Sequence, residues 1–263
     1  MKLETKAVEK VWGRRDLPPP FEAPGKEPVG EIWFEPPPEL SQVLVKYLFT
    51  SEKLSVQVHP SDAQAPHGSR GKEECWLVLD AAPGATLAIG FEQDIDSEAM
   101  RKAALAGTIE DALRWHPVKA GDFFYLPAGT VHAIGPGLTL VEVQQNSDIT
   151  YRLYDYGRPR ELHLDEGIAV ASGAPYPEDC HRAVCDQASE TLVDGPFFRF
   201  SQVGGAPDER IRSAHTGAVM ALPLKGSVSV AGAQIAAGEC GLASALEEID
   251  FSAAERTLLV SGV

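Results

Sequence analysis

A chain of 263 residues, 44% of them apolar, can bury one large core or two small ones and is too apolar for global disorder. Its 23 Lys and Arg stand against 38 Asp and Glu, a formal net charge of −15. That balance argues against a nonspecific binder of nucleic acid or anionic membrane, since either needs a basic face. A local cluster of cations can still coexist with an acidic exterior and meet an anionic small molecule.

The first ten residues alternate charge with apolar side chains and hold no apolar h-region, so no secretory signal is expected. No uncharged stretch reaches the length of a membrane helix. Pro18-Pro19-Pro20 and Pro36-Pro37-Pro38 exclude regular helix or central strand at those points. Apolar runs at 43–49, 54–58, 75–79, 123–126 and 138–143 are rich in Val, Leu, Phe and Tyr, and they read as strands. Ser97 is placed to cap a helix through Met100 and Leu105 that stops at Gly107. Thr108 is placed to cap a second through Ile109, Leu113 and Trp115, and a weaker helical candidate starts near Asp165. A Gly-, Pro- and polar-rich boundary covers 171–194, and beyond it the runs 197–203, 217–224, 227–230 and 257–260 read as further strands.

Helices that do not alternate with strands exclude an eight-fold β/α barrel. Many short strands between frequent turns predict a mainly β antiparallel sandwich or jelly roll. The expected organisation is a first barrel over 1–171 with a small helical insertion near 97–115, and a second β-barrel over 172–263. The four cysteines, Cys75, Cys180, Cys185 and Cys240, are sparse and read as reduced thiols of a cytoplasmic protein. Cys180 and Cys185 lack the second pair that a zinc knuckle requires.

Chemistry concentrates in four segments. In Leu54-Ser55-Val56-Gln57-Val58-His59-Pro60, strand alternation puts Ser55, Gln57 and His59 on one face and Leu54, Val56 and Val58 on the other. In Gly71-Lys72-Glu73-Glu74-Cys75-Trp76, Glu74 opens an apolar strand two residues after Lys72. In Gly121-Asp122-Phe123-Phe124-Tyr125-Leu126-Pro127-Ala128-Gly129-Thr130-Val131-His132, Pro and Gly turn the chain after a strand and present His132. This Gly-Pro-Gly-His spacing resembles the second motif of the cupin superfamily. Together the three segments supply an amide oxygen, two imidazoles and a carboxylate, a set suited to zinc. His, His and Glu with open positions equally form the facial triad of a non-haem iron oxygenase, and ligand types do not choose between them. In the fourth segment, 140–158, Glu142 and Gln144 share one parity, joined by Asp148, Thr150 and Arg152 unless a bulge intervenes.

The strings LSVQVHP (54–60), GKEECW (71–76), PAGTVHAI (127–134) and VEVQQNSDITYRLYDY (141–156) resemble the type I phosphomannose isomerases, in their short bacterial form. Gly30-Glu31-Ile32-Trp33 and Arg160-Glu161-Leu162-His163 occupy places where that family has similar segments. The resemblance is dense over 30–165 and thin afterwards. It implies double-stranded β-helix barrels of the cupin type, and a zinc-dependent isomerase interconverting mannose 6-phosphate and fructose 6-phosphate. It implies one Zn2+ per chain, or another divalent metal, held by Gln57, His59, Glu74 and His132. It implies catalytic roles for Arg152, Lys72, Glu142 and Asp148, and substrate binding by Ser55, Lys46, Lys72 and Arg152. The large helical domain of longer members is missing. The C-terminal half lacks a second Gln-x-His or Glu-Cys-Trp set, so a second barrel there is expected to be metal-free.

Moving a carbonyl between C1 and C2 needs a proton removed from one carbon and one returned to its neighbour, through an enediolate whose charge is the costly feature. Lys72, Glu142 and Asp148 are the candidate bases, and Arg152 is the electrostatic clamp, since a guanidinium stays protonated. Lys46, Lys72, Arg70, Arg152 and Arg158 are the local cations for a phosphate, with Ser55 as hydroxyl donor. The stretch 61–71 reads as a mobile loop beside the metal, with His67 solvated on it. His116, His163, His181 and His215 are expected to be structural or surface residues. Two other functions fit parts of this pattern: an iron cupin oxygenase, and a sugar-binding module with a structural metal. The expected partner is a hexose phosphate, with no nucleic acid or membrane, for a monomer or homodimer.

Overall fold

A computed structural model describes residues 1–263 as three antiparallel sheets with few helices. The first part of the chain forms β1 (Thr5–Arg14), β2 (Val29–Phe34), β3 (Val43–Phe49), β4 (Val56–Val58), β5 (Glu74–Ala81) and β6 (Thr86–Phe91). Next come α1 (Ser97–Ala106), α2 (Ile109–Ala112), β7 (Leu113–Pro117), β8 (Asp122–Leu126), β9 (His132–Ile134), β10 (Leu138–Gln145), β11 (Tyr151–Tyr154), α3 (Leu164–Val170) and β12 (His181–Ala183). A seven-stranded sheet runs β1-β2-β3-β10-β5-β8-β12 and a five-stranded one runs β11-β4-β9-β6-β7.

Alternation along the central strands sets the layers. Val43, Val45, Tyr47 and Phe49 on β3, Cys75 and Leu77 on β5, and Val141 and Val143 on β10 join one apolar core outside the barrel. The opposite face is apolar only at one end, where Leu48, Trp76, Val78, Leu138 and Leu140 meet Leu87, Ile89 and Ile134 of the second sheet. At the other end the inward residues are Lys46, Glu74, Glu142 and Gln144, all buried. The seven- and five-stranded sheets therefore enclose a barrel closed by hydrophobic packing at one end and polar at the other. Behind the five-stranded sheet, Met100 and Ala104 of α1, Ile109 of α2 and Ile168 of α3 cover Val56, Val58 and Ala133.

The remainder forms β13 (Glu190–Asp194), β14 (Arg199–Val203), α4 (Glu209–Ala214), β15 (Val219–Val230), β16 (Ala233–Ala236), β17 (Gly241–Ala243), β18 (Ile249–Asp250) and β19 (Ala254–Ser261). The third sheet runs β13-β14-β19-β15-β16, with β17 and β18 also paired to β15. Its Phe200, Met220, Leu222, Leu258 and Val260 pack into the outer core of the first barrel. Its other face, with Val203, Ala221, Val228 and Leu259, closes on Ile211, Ile235 and Leu246 as a core of its own. The N-terminus reaches the far end of this sheet: Lys2 bridges Gly241, and the Leu3 N–H donates to the Cys240 carbonyl at 2.8 Å. No helix is long and apolar enough to cross a membrane.

The mainly β jelly-roll architecture is as expected, with local corrections. The first helix is capped by Asp96, whose carboxylate accepts from the Ala99 N–H at 2.8 Å, and not by Ser97. It ends as expected at Gly107, which takes a left-handed φ of 72°. The second helix does not extend to Trp115. Thr108 makes no side-chain cap, the helix stops after one turn at Ala112, and 113–117 becomes β7 against the open edge of β6. The runs 217–224 and 227–230 belong to one strand, bent at Gly226, where φ is 76° and an added Cβ would lie 2.4 Å from the Ala253 carbonyl oxygen. Leu54 precedes β4 and packs in the barrel core, apart from Val56 and Val58, which pack against the helices.

One histidine ties two strands of the third sheet together. His215, just after α4, is buried with Nδ1 2.9 Å from Ser261 Oγ and Nε2 2.8 Å from Ser201 Oγ. Burial, with Arg199 adding to it, lowers its pKa from an ordinary 6.5 to about 4, although Asp194 opposes the shift. The unfolded chain therefore binds this proton first as pH falls, so the stabilisation is complete above pH 6.5 and lost between 6.5 and about 4. The loss is about 3 kcal/mol. Urea titrations of His215→Gln beside the wild type over this window are expected to show a pH slope shallower by about one proton.

Candidate metal centre and its cavity

Two rows of cross-strand neighbours build the polar end of the barrel. In one, Glu142 of β10 stands between Lys46 of β3 and Trp76 of β5; in the next, Gln144 stands between Leu44 and Glu74. From the facing sheet, Gln57 of β4 pairs with His132 of β9 on one side and Arg152 of β11 on the other. His59 follows β4 and is buried beside them. Because side chains on a strand alternate, fixing these registers fixes all the inward groups at once.

His59, Glu74 and His132 converge with their donor atoms within 4.8 Å of one another. The two carboxylate oxygens of Glu74 divide between the rings, Oε2 3.5 Å from His59 Nε2 and Oε1 3.4 Å from His132 Nε2. Each ring is oriented from behind: His59 Nδ1 lies 2.8 Å from the Ile149 carbonyl and His132 Nδ1 2.9 Å from that of Thr130. A carbonyl only accepts, so both Nδ1 atoms carry the proton and both Nε2 lone pairs face inward. Burial, reinforced by Lys72, holds the His59 pKa well below its ordinary value; burial also lowers that of His132 against the pull of Glu74. Burial alone would raise the Glu74 carboxyl, but Lys72 and His132 hold it below the carboxylate range. Two neutral imidazoles and a carboxylate, with lone pairs converging, fit a divalent cation. Gln57 lies beside the trio with its amide Nε2 3.2 Å from His132 Nε2. Its Oε1 accepts from the Ser55 hydroxyl at 3.2 Å.

Around the trio the interior is a lattice of charge. Lys72 donates to Glu74, lies 3.0 Å from His59 Nε2 and 3.7 Å from Glu142 Oε1. Lys46 Nζ is 2.9 Å from Glu142 Oε1 and 3.7 Å from Glu31 Oε2, and Trp76 Nε1 donates to Glu142 Oε2 at 3.1 Å. Burial opposes charge on Lys46, yet Glu142 and Glu31 more than compensate and raise its pKa. Lys10 at 3.5 Å and the Trp33 indole N–H complete the surroundings of Glu31.

The lattice forms one wall of a cavity of about 390 Å³. Lys46, Ser55, Gln57, Lys72, Glu142, Asp148 and Arg152, seven positions singled out in the sequence, all line it. Asp148 and Arg152 arrive there by a turn, since β10 ends at Gln145 and β11 begins at Tyr151. Lys72 and Glu74 are buried, against the usual solvation of charges before a strand. His67 is exposed and outside the cluster. Sequence reading missed Lys10, Trp12, Glu31 and Trp33 of the β1–β2 hairpin as cavity residues. It also missed Arg160 and His163. His163 lines the cavity and accepts the Arg152 N–H through Nδ1 at 3.2 Å, where a structural or surface residue was expected.

Fold and site together define a mainly β, cupin-like protein with an inward His-Glu-His trio. No family model matches the chain. It is 43% identical over 166 residues to the mannose-6-phosphate isomerase of Streptococcus mutans and 41% over 168 to mannose-6-phosphate isomerase ManA of Bacillus subtilis. Each match covers 59% of this chain and 52% or 53% of the relative, so the chain matches about half their length. The solved mannose 6-phosphate isomerase of Bacillus subtilis superposes with a TM-score of 0.80 at 24% identity, over 99% of this chain and 98% of that one. A phosphomannose isomerase mutant from Salmonella typhimurium gives 0.74 at 16%, over 99% of both. The matched part is homologous to mannose-6-phosphate isomerases, bearing out the resemblance to the type I phosphomannose isomerases.

Adding a divalent metal to chelator-treated protein is expected to raise stability by about 3 kcal/mol when free metal is a hundredfold above its Kd. Thermal unfolding checks this, and Glu74→Ala is expected to abolish the metal-induced shift in Tm.

Proposed function

We propose that the chain is a zinc-dependent isomerase interconverting mannose 6-phosphate and fructose 6-phosphate. The observation that carries the reading is the inward His59-Glu74-His132 trio, contacted by Lys72 and Gln57 of a cavity that Lys46, Glu142, Asp148 and Arg152 also line. The homologues named as mannose-6-phosphate isomerases support it independently.

His59, Glu74 and His132 would hold the metal, with Gln57 as a fourth donor. A bound zinc ion supplies Lewis acidity for the oxygen charge that develops when the carbonyl moves. The remaining steps belong to the chain. One of Lys72, Glu142 and Asp148 takes a proton from one sugar carbon and returns it to the next. Lys46, fixed between Glu142 and Glu31, keeps Glu142 aimed into the cavity. Arg152 is half-buried with its Nε unpartnered, and together with Ser55 and Lys46 it binds the phosphorylated sugar. Burial of the lattice excludes water from these contacts and strengthens them. An oxygenase built on the same trio would leave the paired lysines and carboxylates without a purpose.

The division near residue 171 and a metal-free barrel over 172–263 belong to the proposal, supported by the separate apolar core of the third sheet. So does cytoplasmic residence, supported by four cysteines that are all free.

A coupled assay on purified protein tests the reading. Mannose 6-phosphate is expected to be converted, with activity abolished by a chelator and restored by zinc. Lys72→Met is expected to lower kcat by about 10²- to 10⁴-fold with the metal still bound. Metal-loaded wild type without turnover would sink the assignment.

A further inference from the structure

We infer that Gln144 is a substrate-binding residue, and that its side-chain carbonyl accepts a hydrogen bond from a sugar hydroxyl beyond the two carbons that exchange the carbonyl. The inference rests on the isomerase reading and deepens it.

Gln144 is 1% exposed, lines the cavity, and sits on β10 directly opposite Glu74 on the neighbouring strand. Its amide cannot be turned over. Nε2 donates to two backbone carbonyls of the following turn, that of Gln145 at 2.7 Å and that of Ser147 at 2.8 Å. Exchanging the amide atoms would set an oxygen against two more oxygens, so the donor side is fixed by the turn. Oε1 is thereby fixed as an acceptor, and it is buried without any partner. A buried acceptor with no donor is costly, and folded proteins rarely keep one without a use. Gln144 lines the cavity, so a molecule that enters the cavity is placed to supply the missing donor. The neighbouring inward groups Glu142 and Glu74 are already engaged by lysines, which leaves Gln144 as a neutral acceptor matched to a neutral hydroxyl. Such a contact selects for the hydroxyl, because an analogue lacking it leaves Oε1 orphaned.

Calorimetric titration of metal-loaded protein with mannose 6-phosphate and its 3-deoxy and 4-deoxy analogues tests this. The wild type is expected to bind one of the two analogues about tenfold more weakly. Gln144→Met, nearly isosteric, is expected to weaken mannose 6-phosphate by the same factor while binding that analogue as the wild type does. Equal loss for all three sugars in the variant would mean that Gln144 only props the 145–147 turn, and would overturn the inference. So would a wild type indifferent to both deoxy analogues, a result independent of the variant's folding. Turnover is scored separately: wild type that shows the expected pattern but does not isomerise sinks the isomerase reading alone. Wild type that binds none of the three sugars overturns both.

Discussion

The organising constraint is burial of charge inside a β-barrel. Lys46, Lys72, Glu31, Glu74 and Glu142 are each less than a tenth exposed, and half-buried Lys10, 3.5 Å from Glu31, balances the third carboxylate. Isolated ions at such depth cost many kcal/mol, so every member must be held within reach of its partners. A divalent cation beside Glu74 would add two positive charges to this balance and draw on the same carboxylates. Metal affinity and the rigidity of the lattice are therefore aspects of one electrostatic arrangement.

That rigidity is supplied from outside the barrel. Behind the seven-stranded sheet lies the apolar face of the third sheet, and behind the five-stranded sheet lie the short helices. Neither side touches the cavity directly; each keeps strand registers from slipping. A slip of one residue would turn Lys46, Glu74, Glu142 and Gln144 out of the barrel and their apolar neighbours in. The two tasks of a strand, packing and chemistry, are thus separated onto its two faces.

Much of this was legible in the sequence because it is encoded by alternation and by turn residues. The strand 43–49 emerged with the expected bounds, and Glu74 does open β5. Residues drawn from three of the four segments line one cavity, and His132 of the remaining segment joins the trio that Lys72 and Gln57 contact. What escaped has physical causes. β1 carries exposed charged residues along its length and gives no apolar run, so Lys10 and Trp12 went unread as cavity wall. β7 has the composition of a helix continuation and becomes a strand only because β6 offers an open edge. His163 reaches the cavity through a contact with backbone eleven residues away, which no local pattern announces.

The thread from β1 to the last sheet has a consequence for how the molecule is made. Met1 bonds to Leu242, residues 241 apart in sequence, and Lys2 bridges Gly241. The hairpin that supplies Lys10, Glu31 and Trp33 to the cavity is synthesised well before its outer anchor at Gly241 and Leu242. At typical elongation rates the interval is on the order of ten seconds or more. During it, the segment leading into β1 waits without its partner, on the strand that will later wall the cavity.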